Sequence, residues 1–481
     1  MLFHSFAFLV FFPVVVAAYF ALPPRSRWAW LLAASYFFYG WWRVEYLALI
    51  LFSTLVDYAV GLQLGKTTSP RARRAWLGVS IAVNLGLLGT FKYFNFLNAN
   101  VEALCTWIGL PYGVPMLDVL LPVGISFYTF QSISYTVDVY RGHRPPERHL
   151  GIFALYVSFF PQLVAGPIER STTLLPQFRE THRFTYDNLV KGLRLMLWGY
   201  FIKVAVADRL GLYVDTVYGD VHQYEGVTML IATYFFAFQI LGDFAGYSYI
   251  AIGAARIMGY SLMENFRRPY YADSVQQFWR EWHISLGAWF RDYLYIPIGG
   301  SKSGTWRTYR NLMLVFFVSG LWHGAAWTVI LFGVMQGLFV LGEKMLRPWT
   351  ARFSDATGLD RLPWLHNLVR VAVTFHLVLI TWVLFRASSM ADALTVFRST
   401  VTGLFTTDHL FVPTGDVTAF LINIALIAFV MAVQYVQGDR EAGVFLNSLT
   451  RPARWALYLM LLFGILAFGE FGERAFIYFQ F

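Results

Sequence analysis

An apolar stretch in the middle of the chain, residues 227–259 (VTMLIATYFFAFQILGDFAGYSYIAIGAARIMG), decides the class of fold. A helix needs about 20 apolar residues to cross a hydrocarbon core of roughly 30 Å, and this stretch exceeds that length. One acid, Asp243, lies deep within it, and Arg256 and Arg267 mark its end. The stretch therefore predicts a membrane-spanning helix that carries an acid at membrane depth.

The composition of the whole chain extends this prediction. Of the 481 residues, 57% are hydrophobic, 19% aromatic and only 14% charged, which is too apolar for a water-soluble domain of this size. We expect an all-α, polytopic integral membrane protein with roughly ten to twelve spanning helices, plus re-entrant and interfacial helices. Residues 1–481 are predicted to form a single membrane-embedded domain.

The charge and cysteine content exclude several classes of function. The net charge of +9 comes from short basic runs between apolar stretches. The positive-inside rule places such runs on the cytoplasmic side, so they indicate topology and contact with membrane lipids rather than binding to nucleic acid. The single cysteine, Cys105, excludes an internal disulfide and any multi-cysteine metal site.

Apolar runs bounded by basic segments predict the individual spans. Residues 1–22 lack a basic leading region, so we expect an uncleaved first helix with its N-terminus outside. The other predicted spans are residues 28–42, 46–64, 76–97, 117–139, 227–259, 371–384, 419–436 and 455–468.

Three further segments are predicted to depart from simple spans. Residues 151–168 contain Pro161 and have basic flanks on both sides, which indicates a re-entrant or interfacial element. In residues 273–300 the large apolar side chains recur at helical spacing, which predicts an amphipathic or re-entrant helix at the cytoplasmic surface. Residues 311–342 carry no charge, contain Gly320 and Gly324 as candidate breaks and precede a basic loop at 347–370; charge alone leaves open whether this segment folds back on itself.

His323 is the first candidate for chemistry. It lies about 20 Å along a helix from Arg310, the nearest charge, and a buried imidazole there costs free energy unless it is used or hydrogen-bonded. As a neutral general base it could take a proton from a hydroxyl that attacks an acyl carbonyl. The alternative is a histidine that donates one hydrogen bond between helices.

His283 is the second candidate. It falls on the face of the predicted amphipathic helix that also carries Trp279, Leu286 and Phe290, and the basic flanks place it near the cytoplasmic side. One histidine near the surface and one at membrane depth would suit a path for a cytosolic acyl donor. The alternative is an interfacial histidine packed among tryptophans.

Several polar side chains in apolar segments are weaker candidates for substrate binding. They are Asp243, which could orient a histidine or hold a backbone break, and Gln131 and Tyr135. Hydrogen bonds between helices are the alternative for all three. The histidines lack metal-ligand spacing, and neither a serine-hydrolase elbow nor a phosphate-binding loop is present, so no metal site and no bound cofactor are expected.

At these residues the sequence resembles the membrane-bound O-acyltransferase family, and within it the branch that acetylates exported polysaccharides such as alginate. The resemblance covers residues 35–340 in order, while the C-terminal spans at about 371–475 match in character only. The stretches that carry it are SYFFYGWWR (35–43), GISFYTFQSISYTVDVYRG (124–142), FFPQLVAGP (159–167), DFAGYSYIAIG (243–253), ENFRRPY (264–270), FWREWHISLGAWFRDYLYIPIGG (278–300) and GLWHGA (320–325).

The resemblance implies both a fold and an activity. It implies irregular helices around a central funnel, with the two family histidines at His323 and His283. It also implies an enzyme of the bacterial inner membrane that passes acetyl groups, with acetyl-CoA as the expected donor, to periplasmic acetyltransferase partners and the polysaccharide secretion machinery. Ala245 and Tyr249 depart from that branch, which tends to have serine and aspartate there, so a carboxylate role at position 249 is in doubt.

Other functions remain open on the sequence. D-alanyl transfer to teichoic acid uses a similar architecture with a carrier-protein donor. A flippase for polysaccharide or lipid-linked sugar would use Asp243 and the histidines as a proton relay. A purely structural subunit of a secretion complex gives no reason for a histidine at position 323.

Overall fold

The computed structural model is built from α-helices, as predicted. It describes residues 1–118, 120–302, 304–405, 407, 410, 411, 413, 415–438, 440, 446, 448–472 and 477. Within this part of the chain no β-strand occurs, and a single isolated antiparallel bridge joins Phe266 and Trp282. The all-α class is confirmed.

The chain divides into two compact units. Residues 1–196 and 248–263 form one, here called the N-terminal unit, and the described parts of 197–247 and 264–481 form the other, the C-terminal unit. The helices of residues 1–180 are α1 (Phe6–Ala21), α2 (Arg27–Gly40), α3 (Tyr46–Lys66), α4 (Pro70–Leu88), α5 (Phe94–Trp107), α6 (Ile125–Arg141), α7 (Leu150–Ser158), α8 (Phe160–Leu163) and α9 (Ser171–Gln177).

The remaining helices carry the candidate site. They are α10 (Tyr186–Tyr200), α11 (Asp208–Gly219), α12 (Gly226–Ile257), α13 (Val275–Glu281), α14 (Ile284–Phe290), α15 (Thr305–His323), α16 (Trp327–Thr357), α17 (Pro363–Arg386), α18 (Met390–Thr402), α19 (Val417–Gln437) and α20 (Arg451–Phe468). Three segments, Gly89–Tyr93, Phe201–Ala207 and Arg291–Tyr295, are π-helical.

Membrane-spanning helices account for much of the chain. Among the described residues, seven helices are long and apolar enough to cross a bilayer, and α1 is a shorter apolar helix. Those seven are α3, the continuous run Pro70–Trp107, α12, α16, α17, α19 and α20. The protein is therefore a multi-pass membrane protein.

The uncharged segment 311–342, whose topology the sequence left open, folds back on itself. It forms two helices, α15 and α16, separated by residues 324–326. The helices approach so closely that a Cβ atom added at Gly320 would lie 2.7 Å from the carbonyl oxygen of Val329. Because only a glycine permits this contact, the hairpin places the end of α15 directly beside α16.

The prediction of one continuous helix over residues 273–300 was wrong. Helix α13 ends at Glu281, Trp282 is extended, and α14 starts at Ile284, with a π-helical segment after Phe290. His283 therefore does not lie on a helical face with Trp279, because its own backbone is left-handed. The hydrophobic spacing was real, but a local backbone reversal interrupts it.

Other predicted boundaries also need correction. The described residues of this stretch, 117, 118 and 120–124, are not helical, so the span predicted from about residue 117 begins at Ile125. The basic loop predicted at 347–370 is largely helix, since α16 continues to Thr357 and α17 starts at Pro363. The broken segment at 151–168 contains two short helices that meet at Phe159, and it is buried within the N-terminal unit.

Candidate functional site

His323 is the last residue of α15, at the turn of the α15–α16 hairpin. Helix α15 ends there because Gly324 is extended, and its N–H group bonds to the carbonyl oxygen of Gly320 at 3.3 Å. The imidazole is 2% exposed. Its ring centroid lies 5.5 Å from that of Phe385 and 5.9 Å from that of Phe332, both in edge-on contact.

His283 occupies the reversal between α13 and α14 in a left-handed conformation, with φ of 46° and ψ of 54°. Apart from glycine, Arg268 is the only other residue in the described part of the chain with a positive φ. A bulky side chain in this region costs roughly 1–2 kcal/mol, and such strained residues cluster at functional sites. The side chain is 1% exposed, so the left-handed backbone directs the imidazole into the interior of the protein.

A short backbone pairing holds this strained residue in place. The N–H group of Arg267 donates to the carbonyl oxygen of Glu281 at 2.9 Å, and the N–H group of Ile284 donates to the carbonyl oxygen of Asn265 at 3.0 Å. The Asn265 side-chain oxygen also accepts from Ser285, from the N–H group at 3.3 Å and from the hydroxyl at 2.9 Å. Asn265 therefore caps α14 from outside the helix and fixes the segment that carries His283.

Trp322 brings the two histidines into one site. Its ring centroid lies 5.6 Å from that of His283 and 5.0 Å from that of His323. Phe244, on α12, adds an edge-on contact to His283 with centroids 4.6 Å apart. The site thus consists of two imidazoles enclosed by aromatic rings from α12, α15, α16 and α17, and this packing keeps bulk water away from both of them.

Burial favours the neutral form of His283. Removal from water, the larger cause, and the neighbouring imidazole of His323 together lower the pKa of His283 well below its ordinary value. A neutral imidazole has one nitrogen that accepts a proton and one that donates a hydrogen bond. At neutral pH the side chain is therefore available for hydrogen bonding without carrying charge.

Asp243 was predicted to orient a histidine or hold a backbone break, and the structure places it in an ion cluster. One carboxylate oxygen lies 2.5 Å from Nζ of Lys203, and the other accepts from the N–H group of Ile477 at 2.6 Å. Both contacts belong to the C-terminal unit. Phe244, the next residue in the chain after Asp243, contacts His283.

Gln131 and Tyr135, the other candidates for substrate binding, are buried on α6 in the N-terminal unit. The amide of Gln131 donates to the carbonyl oxygen of Tyr156 at 2.5 Å. The hydroxyl of Tyr135 accepts from the N–H group of Glu147 at 2.9 Å. These bonds join neighbouring segments, which is the arrangement of polar groups between helices that the sequence left open as an alternative.

Metal binding has no support from the described residues. Within that part of the chain no three His, Cys, Asp or Glu side chains cluster closely enough to hold an ion. The two imidazoles with their aromatic walls suit proton transfer and hydrogen bonding to a reacting group.

Several residues around the site were not singled out from the sequence. Lys203 is a charge inside the apolar run at residues 198–207, and that isolation was a usable signal. Gln336 accepts from the Trp279 indole at 3.0 Å and donates to the Thr381 hydroxyl at 2.6 Å, linking α13, α16 and α17. Asn265 was noticed only as part of a motif, because its role depends on a partner 20 residues away in the chain.

The class of protein follows from the fold, the paired histidines and the comparison with known families. The sequence profile of MBOAT, the membrane-bound O-acyltransferase family, matches residues 148–390, a range that contains both histidines and all of α12 to α17. The chain belongs to this family and is a membrane O-acyltransferase.

The chain is more similar to some of its relatives than to others. The chain is 43% identical over 395 residues to the probable alginate O-acetylase AlgI of Pseudomonas putida, covering 81% of this chain and 78% of that protein. It is 34% identical over 433 residues to the peptidoglycan O-acetyltransferase of Helicobacter pylori, covering 83% and 80%. Similarity to the teichoic acid D-alanyltransferase of Bacillus subtilis is lower, at 25% over 265 residues, covering 53% and 66%.

The Asn265 cap gives a first testable prediction. Replacing Asn265 with Ala removes the acceptor for two donors of Ser285, and a buried donor left without a partner costs about 1–3 kcal/mol. We expect a lower melting temperature for the detergent-solubilised protein, measured by intrinsic tryptophan fluorescence. Ser285→Ala is the control, since it removes one donor without leaving any donor unsatisfied, and its shift should be smaller. Equal melting of Asn265→Ala and the natural protein would contradict the role given to this cap.

Proposed function

We propose that this protein takes an acetyl group from cytosolic acetyl-CoA and passes it across the bacterial inner membrane for O-acetylation of an exported polysaccharide such as alginate. The observation that carries the proposal is the placement of His323 at the turn of the α15–α16 hairpin, buried beside Trp322 and sharing that ring with His283. A buried imidazole at the end of a helix suits proton transfer in the absence of bulk water.

In the proposed reaction His323 acts as the general base. The acceptor hydroxyl attacks the carbonyl carbon of the acetyl thioester, and the hydroxyl proton passes to the imidazole of His323. The tetrahedral intermediate collapses with cleavage of the carbon–sulfur bond, and the thiolate of coenzyme A takes the proton from the imidazolium. The products are an O-acetyl ester and the free thiol, and the enzyme returns to its starting state.

His283 is proposed to orient the donor next to this base. Its neutral imidazole can donate one hydrogen bond towards the thioester, and its contact with Phe244 restricts its rotation. The aromatic walls at Phe332 and Phe385 limit access of water to the acyl carbonyl, which would otherwise hydrolyse the donor. Asp243, Gln131 and Tyr135 are assigned supporting hydrogen bonds and ion pairs.

The cellular setting is also part of the proposal. The relative from Pseudomonas putida is named as a probable alginate O-acetylase and that from Helicobacter pylori as a peptidoglycan O-acetyltransferase. These names support an inner-membrane location, with periplasmic acetyltransferase partners and the secretion machinery receiving the acetyl group.

The donor provides the test of this proposal. Inverted membrane vesicles that contain the protein expose its cytoplasmic side, so acetyl-CoA with a radiolabelled acetyl group can be added directly. We expect alkali-labile label in the trapped polymer or partner protein, and none with vesicles that carry His323→Ala. Absence of label with the natural protein would overturn the choice of donor.

The same vesicles separate the alternatives. Label that enters only from D-alanine with its carrier and activating enzyme would favour D-alanyl transfer, the activity named for the relative from Bacillus subtilis. Proton-coupled movement of a lipid-linked sugar without any acyl label would favour a flippase. Either result would replace acetyl transfer as the function.

A further inference from the structure

A buried ion cluster lies against α12, at the residue that precedes Phe244. Its members are Lys203, Asp208 and Asp243, and the lysine side chain is 1% exposed. The ammonium of Lys203 lies 2.7 Å from a carboxylate oxygen of Asp208 and 2.5 Å from one of Asp243. Two carboxylates thus share one ammonium, and burial without such pairing would be strongly unfavourable.

The cluster joins α12 to the π-helical segment Phe201–Ala207. Lys203 lies within this segment, and Asp208 follows it directly. Cβ atoms added at Gly242 and Gly246 would each lie 2.8 Å from a backbone carbonyl oxygen, of Ile202 and Gly199 respectively. The two backbones are therefore in direct contact on both sides of Asp243, which leaves this part of α12 little freedom to shift.

Phe244, the next residue along α12, links this tightly packed part of the helix to the candidate site. The ring of Phe244 meets His283 edge-on at 4.6 Å and Phe266 at 5.0 Å. Phe266 belongs to the short pairing that holds the reversal at His283. The position of Phe244 therefore depends on its neighbour in the helix, Asp243, and bears on the orientation of the His283 imidazole.

We infer that Asp243, held by Lys203, is a positioning residue that fixes the His283 imidazole through Phe244. The inference rests on the proposed function only in assuming that His283 takes part in acyl transfer. Neither Asp243 nor Lys203 is required to touch the substrate. Asp243 and Lys203 instead hold Phe244, and through it the imidazole of His283, in a fixed position. A misplacement of a reacting group by about 1 Å can cost up to 100-fold in rate.

The stoichiometry of the cluster supplies a matched pair of variants. Asp243→Asn and Asp208→Asn have the same size change, and each leaves Lys203 one carboxylate and a neutral ion pair. Only Asp243 adjoins Phe244 and also accepts from the N–H group of Ile477. The two variants therefore disturb the charge of the cluster equally but differ in their connection to His283.

The test measures the initial rate of acetyl-ester formation in a deletion strain, with membrane levels of each variant matched. We expect Asp243→Asn to lower the rate about tenfold and Asp208→Asn less than about threefold. Equal losses, or no loss with Asp243→Asn, would overturn the inference. His323→Ala, measured in the same series, tests the proposed function separately, because its failure to lower the rate would not depend on Asp243.

A chemical readout follows His283 itself. Diethyl pyrocarbonate modifies accessible neutral imidazoles, and mass spectrometry of the peptide that contains His283 measures the modified fraction in purified protein. We expect His283 to be protected in the natural protein and in Asp208→Asn, and to react at least about threefold faster in Asp243→Asn. Unchanged protection in Asp243→Asn would show that the ion cluster stabilises the fold without positioning His283.

Phe244→Leu keeps the test decisive if Asp243→Asn fails to accumulate. This variant leaves all three charges in place and removes only the ring that contacts His283. We expect it to lower the rate and to raise the reactivity of His283 as Asp243→Asn does. A natural rate together with natural protection in Phe244→Leu would also overturn the inference.

Discussion

Replacing His323 with Ala is expected to reduce acetyl ester in the secreted polysaccharide to background while the protein still reaches the membrane in normal amounts. A positioned general base contributes roughly 10²- to 10⁴-fold to a rate, and the ring of Trp322 lies between His323 and His283 at centroid distances of 5.0 and 5.6 Å. The measurement is ester content per sugar residue in a deletion strain complemented with each variant.

A histidine of the C-terminal unit outside the candidate site, His376, provides the control for His323. His376 lies on the spanning helix α17, where its ring bonds to the hydroxyl of Tyr234 at 2.6 Å and to the carbonyl oxygen of Ala372 at 2.7 Å. His376→Ala should leave the ester content near natural. If the His323→Ala variant retained the ester, His323 would not be the general base, whatever the effect of His376→Ala.

Replacing His283 with Asn is expected to lower the rate of ester formation by about 100-fold, at the lower end of what a positioned acid–base or polar group contributes. Asparagine tolerates the left-handed backbone of this position better than other side chains do, so the fold should persist. The measurement is the initial rate of ester formation together with the membrane level of the variant.

His283→Val separates backbone strain from chemistry. A β-branched side chain is unfavourable at a positive φ, so this variant should lose membrane abundance as well as activity. If the Asn and Val variants have the same abundance, the left-handed backbone at position 283 is not what limits folding. If the Asn variant has the natural rate, His283 has no part in transfer.

The long spans could be predicted from the sequence because membrane crossing depends on local composition. Helices α12 and α19 begin and end within a few residues of the predicted apolar runs. Helix α17 ends close to the predicted boundary but starts earlier, at Pro363. The fold-back near Gly324 was left open by the sequence, because basic residues at both ends of the uncharged segment favour it without fixing where the chain turns.

The irregular segments could not be predicted in the same way. The break between α13 and α14 has no proline or glycine at its centre, and His283 adopts its conformation because residues 265–267 pair with it from another part of the chain. The π-helical segment Phe201–Ala207 likewise depends on close contact with α12. Tertiary contacts, which periodicity does not register, determine both features.

The two histidines that the sequence singled out both lie against Trp322, whereas residues that support this arrangement were not singled out. Buried imidazoles stand out in an apolar sequence, so His323 and His283 were identified directly. Lys203 was overlooked although it is a charge in an apolar run, and Gln336 was overlooked because an amide in a span is usually a bond between helices. The structure shows that these residues hold the elements that carry the aromatic walls.

The end of α15 has an electrostatic consequence for the proposed reaction. Peptide dipoles aligned along a helix place about half a negative charge at its C-terminus, and His323 is the last residue of α15. When the ring accepts a proton from the acceptor hydroxyl, the new positive charge forms beside those carbonyl groups. A helix end of this kind stabilises a nearby cation by roughly 0.3–2 kcal/mol, so the backbone of α15 lowers the barrier to proton transfer without any acidic side chain.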